Sequence, residues 1–369
     1  MHIEQIGVNK LNNFLEGKTI LITGGTGYLG KALTREILKH NPKSIRLFSR
    51  DEVKHHEMQE EFGHDVRLRN FIGDVRDYER LVKATRQADI LIHAAALKRL
   101  DILEYNVGES IKTNVMGTLN VVRACLENNV EKAVMVSTDK ACAPVNTYGA
   151  CKFVSERIFT ESNYNKGDMK TVFTIVRYGN VLESTGSVIP FFSTKLKNGN
   201  PIPLTDERMT RFIISHEQAA ELIFDSIRYG VGGEVFVPQL PSFKITDLIE
   251  ILQEKFKKKN GVDIIGLRPG EKIHEVMINF SEIPRTYKFN NLYVIGSCIQ
   301  DFKRHHKIPE YMEKGRKITE DEMIEYAKKL TIPEKQQYGI NMLASQWTDW
   351  WFEFYVWQAG GDLTKKNPD

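Results

Sequence analysis

Between Val136 and Lys152 the chain reads VSTDKACAPVNTYGACK, which crowds Thr138, Asp139, Lys140, Tyr148 and Lys152 into one short stretch. Two amines, a carboxyl and a phenol together can abstract, hold and return protons. The same letters also suit an ordinary polar loop leading into a helix. A free tyrosine titrates near ~10, so Tyr148 serves as a base only where a cation such as Lys152 favours its phenolate. Lys140 serves as a base only if its own pKa is depressed, and a second cation with partial desolvation pushes in that direction. Asp139 can give a proton if its carboxyl is protonated when required. Cys142 and Cys151 flank Tyr148, but no cationic histidine or resolving partner stands nearby, so small-residue packing accounts for both better than thiol chemistry does.

The elements around this stretch have a regular order. KTILITG (18–24) is a β-branched run of the kind found in buried parallel strands. Leu29, Leu33 and Ile37 follow at helical spacing, and Asn41-Pro42 stops that helix. Strands are expected at 44–49, 66–74, 88–96, 131–138 and 171–179, with helices over 78–87, 111–126 and from Tyr148 onward. This alternation predicts an α/β fold, a Rossmann-type doubly wound parallel sheet covered on both faces. From 190 onward short strands such as EVFVP (234–238) mix with helices around 215–229 and 245–258. That pattern suits a smaller α/β substrate-binding lobe over the carboxyl ends of the strands, where open sheets bind ligands. The expected division is an N-terminal extension (1–17), a dinucleotide-binding core (18–180, with later segments returning to it), the lobe (181–295) and an aromatic-rich C-terminal extension (296–369).

Bulk properties exclude several classes. A chain of 369 residues, 41% hydrophobic and 27% charged, has the make-up of a globular protein. A net charge of +3, with cations dispersed among acids, gives no nucleic-acid surface. No run approaches the ~20 apolar residues that span a bilayer, and the N-terminus lacks a signal-peptide core. Four cysteines without a C-x-x-C pair point to a reduced, cytoplasmic compartment. The pairs His55-His56 and His305-His306 lack matched ligand spacing, so solvated surface is expected there and no metal site.

The first strand runs into TGGTGYLG, with Gly24, Gly27 and Gly30 spaced three apart around Thr26, Tyr28 and Leu29. Between a strand and a helix, such glycines permit a tight turn and let free helix N–H groups meet a pyrophosphate. The second strand ends in Ser49-Arg50-Asp51, with Lys54 beyond. Ser49 and Arg50 suit a 2′-phosphate, whereas Asp51 stands late for the ribose role of an NAD site, so NADP is favoured over NAD. Asp74-Val75 follows the third strand where an acid commonly meets the adenine, and Ala94 to Ala96 leave room beside the fourth for a nicotinamide.

Gly-x-x-Gly-x-x-Gly followed by Tyr148-x-x-x-Lys152 resembles the extended short-chain dehydrogenase/reductase superfamily. Ser-Arg-Asp-Glu (49–52), Ala-Ala-Leu-Lys (95–98), Ser-Thr-Asp-Lys (137–140), Arg-Tyr-Gly-Asn-Val (177–181), Arg-Met-Thr-Arg-Phe (208–212) and Arg-Pro-Gly-Glu-Lys (268–272) narrow the resemblance. Together they are similar to the inverting UDP-N-acetylglucosamine 4,6-dehydratases of the polysaccharide biosynthesis branch, over about 14–295. The resemblance implies a lyase that oxidises a hexose at C4, removes the C5 proton, expels water from C6 and returns hydride to C6. It makes Tyr148 the C4 base, Lys152 a holder of the nicotinamide ribose, Lys140 the C5 base and Asp139 the acid. It also implies cofactor contacts at Lys98 and Asn114. Lys98, Asn180 and Val181 would approach the sugar and diphosphate; Gly186, Ser187, Val188 and Ile189 would line the nucleotide. Arg211 and Arg268 would meet the diphosphate and Glu271 a ribose hydroxyl. Retaining relatives carry Thr-Asp-Glu where this chain has Thr-Asp-Lys, so Lys140 marks the C5-inverting branch.

A retaining dehydratase or a 4-epimerase of a related UDP-sugar is the second enzyme reading, and a non-catalytic NADP-binding regulatory protein the third. Beyond Ile295 the resemblance thins. Thr319-x-x-Glu322 is a capping-box signature, and QWTDWWFEFYVWQ (346–358) holds all four tryptophans. That segment suits packing on the body or on a neighbouring subunit of a homo-oligomer, a dimer or hexamer, better than contact with lipid headgroups.

Overall fold

The computed structural model describes residues 14–182, 187–299 and 309–322. β1 (Thr19–Thr23) is buried along its whole length and leads through the glycine turn into α1 (Tyr28–Leu38). That helix buries Ala32, Leu33 and Ile37, and the chain turns at Asn41, whose φ of 50° lies in the left-handed region, before Pro42. β2 (Ser44–Ser49), α2 (Glu52–Glu61), β3 (Leu68–Ile72), α3 (Tyr78–Thr85) and β4 (Ile90–His93) follow. A π-helical turn over Ile111–Met116 precedes α4 (Gly117–Glu127), in place of the single regular helix expected from 111 to 126. β5 (Lys132–Thr138), α5 (Thr147–Ser162) and β6 (Val172–Tyr178) complete the alternation.

Strands β3-β2-β1-β4-β5-β6 lie in that order and pair in parallel, the Rossmann arrangement, with the order reversing between β1 and β4. β10 (Val235–Pro238) adds in parallel to β6, and β14 (Leu292–Ile295), β13 (Thr286–Phe289) and β15 (Arg316–Lys317) extend the sheet antiparallel. The main sheet therefore takes in 235–238, 286–295 and part of the expected C-terminal extension.

The smaller lobe has its own core. Phe192 and Leu196 of α6 (Val188–Lys197) pack with Ile202 and Leu204 of β8 (Ile202–Leu204) and with Ile245, Ile249 and Leu252 of α8 (Ile245–Phe256). β9 (Thr210–Ile214) joins β7 (Asn180–Val181) to β11 (Ser242–Lys244), and β12 (Val262–Ile264) pairs with β8. α7 (His216–Tyr229), opened by a complete Ser215–Gln218 capping box, packs back on the main core.

α5, which carries Tyr148 and Lys152, is fastened from both ends. Asn146 caps it by accepting from the Gly149 N–H at 2.7 Å. Further along, Glu156 accepts from Arg177 Nε and Nη2 at 3.0 and 2.7 Å, while Arg177 also donates to Glu282 at 2.8 and 3.0 Å. Arg177 is 1% exposed, so this buried triad ties α5 to β6 and to the turn over Phe280–Arg285. No helix among the described residues is long and apolar enough to cross a membrane, and no group of potential metal ligands is found among them.

Candidate active site

β5 ends at Thr138, and the next residues turn at once into a short 3₁₀ helix, Asp139–Ala141. Asp139 is fully buried; its Oδ1 accepts from Thr138 Oγ1 at 2.9 Å and from Lys140 Nζ at 3.0 Å. Its Oδ2 is buried and has no hydrogen-bond partner among the described residues. Thr138 also hydrogen-bonds the hydroxyl of Tyr148. Thr138, Asp139, Lys140 and Tyr148 thus meet at one point above the carboxyl end of β5.

Two proton affinities differ from the expectation. Burial works against the ammonium of Lys140, but Asp139 and Glu275 outweigh it and raise its pKa. The depressed value expected from desolvation and a second cation is therefore not what this site produces, because two carboxylates surround the amine. Tyr148 is pushed up to about 12 by burial, with Lys140 and the Thr138 hydrogen bond opposing that rise. Lys140, rather than the expected Lys152, is the cation that acts on the phenol. Lys152 instead donates to the carbonyl of Val136 at 2.8 Å, and burial lowers its pKa to about 8.

The glycine turn has two sides. Added Cβ atoms at Gly24, Gly25 and Gly30 would stand 2.9, 2.9 and 2.3 Å from backbone atoms of Ala95, Ile22 and Gly25. At Gly27 the added atom would meet only the Gly24 carbonyl, at 3.1 Å. Gly27 is the N-cap of α1 without any side-chain cap, and the first turn holds no acid. The first three glycines therefore satisfy the protein's own packing, while Gly27 leaves an open face of helix N–H groups. That cradle fits a pyrophosphate.

Around it, Thr26 Oγ1 lies 2.7 Å from Ser49 Oγ, and Tyr28 donates to the Leu182 carbonyl at 2.8 Å. Leu29 is half-buried in the first turn of α1. Arg50 is exposed, 3.6 Å from Asp74, whose carboxylate is taken up chiefly by Arg76. Asp51 caps α2 by accepting from the Lys54 N–H, and Lys54 Nζ lies 3.4 Å from its Oδ2. Val75 is buried against Gly117, and Ala94 and Ala96 are half-buried past the end of β4. Asn114 acts indirectly: Oδ1 accepts from Leu97 N at 2.8 Å and Nδ2 donates to Leu97 O at 2.9 Å. Its side chain is thus committed to holding the 94–98 segment, and Lys98 at that segment's end is exposed.

His55 overturns the solvated-surface expectation. It is 3% exposed, with Nε2 3.1 Å from Ser49 Oγ and Nδ1 3.0 Å from Asn70 Oδ1. α2 carries its charges nearly all round, so no apolar periodicity announced that one histidine faces inward. Cys142 and Cys151 are buried, in keeping with packing rather than thiol chemistry.

On the substrate side, Asn180 and Val181 form β7, and Ser187 stands at the N-cap of α6 with a buried Oγ that has no hydrogen-bond partner among the described residues. Val188 and Ile189 begin α6 and pack on the lobe core. Gly186 and the His305-His306 pair lie outside the described residues, as does the segment 346–358. Arg211 on β9 is buried and donates through Nη1 to the carbonyls of Thr210 and Ile273. Arg268 remains exposed, 3.9 Å from Glu271, whose Oε2 is buried without a hydrogen-bond partner among the described residues.

Two residues close the site that no spacing pointed to. Glu275 Oε1 lies 3.3 Å from Lys140 Nζ, and Lys272 Nζ donates to the Cys142 carbonyl at 2.7 Å. Lys272 sat within the Arg-Pro-Gly-Glu-Lys run and its charge was the available signal. Glu275, more than a hundred residues from Lys140 in the chain, carried none.

Comparison with known proteins agrees with this geometry. The family described as "Polysaccharide biosynthesis protein" matches residues 20–297. A UDP-N-acetylglucosamine 4,6-dehydratase (inverting) of Campylobacter jejuni is 46% identical over 306 residues, covering 82% of this chain and 90% of its own. A UDP-glucose 4-epimerase of Rickettsia bellii is 36% identical, covering 88% of this chain and 96% of its own. The X-ray structure of Pen from Bacillus thuringiensis superimposes with a TM-score of 0.75 at 38% identity, covering 77% of this chain and 91% of that one. The family match runs from β1 through β14, taking in the parallel strands and the lobe that frame the Asp139–Lys140–Tyr148 cluster, and the chain belongs to the polysaccharide biosynthesis protein family.

Proposed function

We propose that this protein is a C5-inverting UDP-N-acetylglucosamine 4,6-dehydratase, a hydro-lyase forming a UDP-2-acetamido-2,6-dideoxy-4-keto-L-hexose for surface polysaccharide or glycoprotein sugars. The observation that carries the proposal is the contact of Lys140 with Asp139 beside Tyr148, an amine and a carboxyl able to share one proton beside a phenol. The Campylobacter relative supports the same activity.

NADP is the proposed cofactor. Its pyrophosphate fits the Gly27 face, and Asp51, occupied as a helix cap, leaves Ser49 and Arg50 for a 2′-phosphate. When bound, the nicotinamide supplies the hydride acceptor for C4 and the donor for C6, and its positive ring favours the phenolate of Tyr148.

The chain's own residues handle the protons. Tyr148 takes the proton of the C4 hydroxyl, which Thr138 holds by a hydrogen bond. With a carbonyl at C4 the C5–H is acidic, and Lys140 takes it as the free amine. Asp139 protonates the C6 hydroxyl, and the C6–O bond breaks as water leaves. A shift of one proton across the 3.0 Å contact from Lys140 to Asp139 prepares base and acid together. A proton then returns to C5 from the opposite face. The proton gained by Tyr148 balances the one returned to C5, and the proton gained by Lys140 replaces the one lost by Asp139. Each turnover therefore releases one water and restores these groups.

Arg211 and Arg268 would meet the diphosphate, with Lys98 and Asn180 toward the sugar and Glu271 toward the ribose. The cysteines, all free thiols, suit a reducing cytoplasmic setting. Exposed Tyr105, Val107, Ile111, Met116 and Val154 suit a homo-oligomer.

The test is incubation with UDP-N-acetylglucosamine and with UDP-glucose in deuterated water. Loss of one water, deuterium at C5 and an inverted C5 support the proposal. Unchanged mass with inverted C4 means a 4-epimerase, the activity named for the Rickettsia relative, and a retained C5 means the retaining dehydratase.

A further inference from the structure

Glu275 has a place in this site that the proton transfers above do not use. It is 5% exposed; Oε1 lies 3.3 Å from Lys140 Nζ, and Oε2 lies 3.6 Å from Lys272 Nζ with no hydrogen-bond partner among the described residues. The segment that brings it there is tied to the catalytic loop at two points and to β9 at a third. Asn146 Nδ2 donates to the Gly270 carbonyl at 2.8 Å, Lys272 to the Cys142 carbonyl at 2.7 Å, and Arg211 to the Ile273 carbonyl at 2.9 Å. Gly270, at φ 79°, makes the approach to Asn146 possible, since an added Cβ would already stand 3.0 Å from that side chain. A carboxylate so deeply buried, with one oxygen 3.3 Å from Lys140 and the other 3.6 Å from Lys272, is a built contact.

We propose that Glu275 is a positioning residue for the C5 base: its carboxylate holds the ammonium of Lys140 beside Asp139 and sets the pH at which that lysine becomes a free amine. The inference rests on the dehydratase reading for its chemical consequence and on the contact geometry for its existence. The charged and titratable groups facing Lys140 are Asp139 from its own turn, Tyr148 from α5, Arg211 from β9 and Glu275 from the 268–275 segment, with Lys272 behind Glu275. Of these, Asp139 and Glu275 favour the ammonium and Arg211 opposes it. Asp139 is neutral until it gives its proton to the C6 hydroxyl, so Glu275 is the carboxylate that faces the charge as Lys140 acquires it from C5. Lys272 and Arg211 compete for the same carboxylate, which keeps its hold on Lys140 partial.

Two measurements on the full-length holoenzyme test this. One is the pH dependence of deuterium incorporation at C5 from UDP-N-acetylglucosamine. The other is the NMR titration of Lys140 in protein labelled with ¹³C at lysine Cε, assigned with Lys140→Arg. In Glu275→Gln, which keeps the side-chain volume, the titration and the rising limb of the exchange profile both move to lower pH, by about one unit or more, a tenfold rate difference on the limb. Glu275→Asp keeps the charge at a longer reach and places both midpoints between the two, and it carries the test alone should Glu275→Gln fail to fold. An unmoved Lys140 midpoint, or a parallel fall in rate at every pH, would overturn the proposal and leave Glu275 a packing residue. Wild-type protein that exchanges nothing at C5 sinks the dehydratase reading, and the Lys140 titration then still decides the role of Glu275.

Discussion

Lys140 Nζ sits 3.0 Å from Oδ1 of Asp139, its neighbour in the chain, while the other oxygen of that carboxylate is buried and unpartnered among the described residues. One oxygen is engaged with the base and one is left for the leaving group. Lys140→Ala should therefore abolish C5 exchange while cofactor affinity stays within about threefold, the scale of a residue outside the cofactor site. Asp139→Asn should keep C5 exchange measurable but slow water loss by roughly 10²–10⁴, the range for a general acid. Deuterium incorporation and product mass, read on the same samples, separate the two effects.

The two sides of the glycine turn separate folding from cofactor binding. Gly30→Ala drives a Cβ to 2.3 Å from the Gly25 carbonyl and should destabilise by about 1–3 kcal/mol. Gly27 has φ −76°, which alanine adopts, so Gly27→Ala should melt within about 1 kcal/mol of wild type. Its methyl group nevertheless stands in the pyrophosphate cradle, so dinucleotide affinity should fall. Thermal melts and fluorescence titration read the two quantities; equal losses in both variants would contradict the division.

Arg50 tests the cofactor choice. It is exposed and, among the described residues, makes only a 3.6 Å approach to Asp74, so Arg50→Ala should leave stability nearly unchanged. It should weaken NADP by about tenfold or more, the value of a charged hydrogen bond, with NAD affected less than about twofold. Equal weakening of both dinucleotides would assign Arg50 to a part of the cofactor they share.

His93 supplies a pH dependence of stability. It is fully buried between Thr23 Oγ1 at 2.7 Å and Thr118 Oγ1 at 3.1 Å. Burial, and then the charge of Lys152, lower its pKa to about 3 from 6.5. The folded protein keeps it neutral while the unfolded chain protonates it below 6.5, so the unfolded state binds the extra proton and stability falls as pH drops. Between pH 7 and pH 5 this group should remove about 2 kcal/mol. Denaturant unfolding at the two pH values should show that loss in wild type and a smaller one in His93→Gln.

Much of this molecule was legible in its letters. β-branched runs ending in glycine, followed by apolar residues at helical spacing, specify parallel strands and covering helices by local rules. The chemistry of Thr138, Asp139, Lys140 and Tyr148 was equally local, since adjacent residues at a strand end share one site in any such fold. The capping box at Thr319 and Glu322 was legible for the same reason, and its two hydrogen bonds form at 3.1 and 3.2 Å.

What the tertiary structure decided depends on residues far apart in the chain. Residues 286–295 return to the main sheet because β14 pairs with β10, a choice of partner that neither strand's sequence names. Asn114 became a clamp on Leu97, and His55 a buried support for Ser49, through contacts that no periodicity records. The proton affinity of Lys140 turned the same way. Desolvation and a second cation suggested an amine with a lowered pKa, but Asp139 beside it and Glu275, brought in by the fold, together outweigh burial and raise it, and the share of Glu275 depends on distance in space rather than separation along the chain.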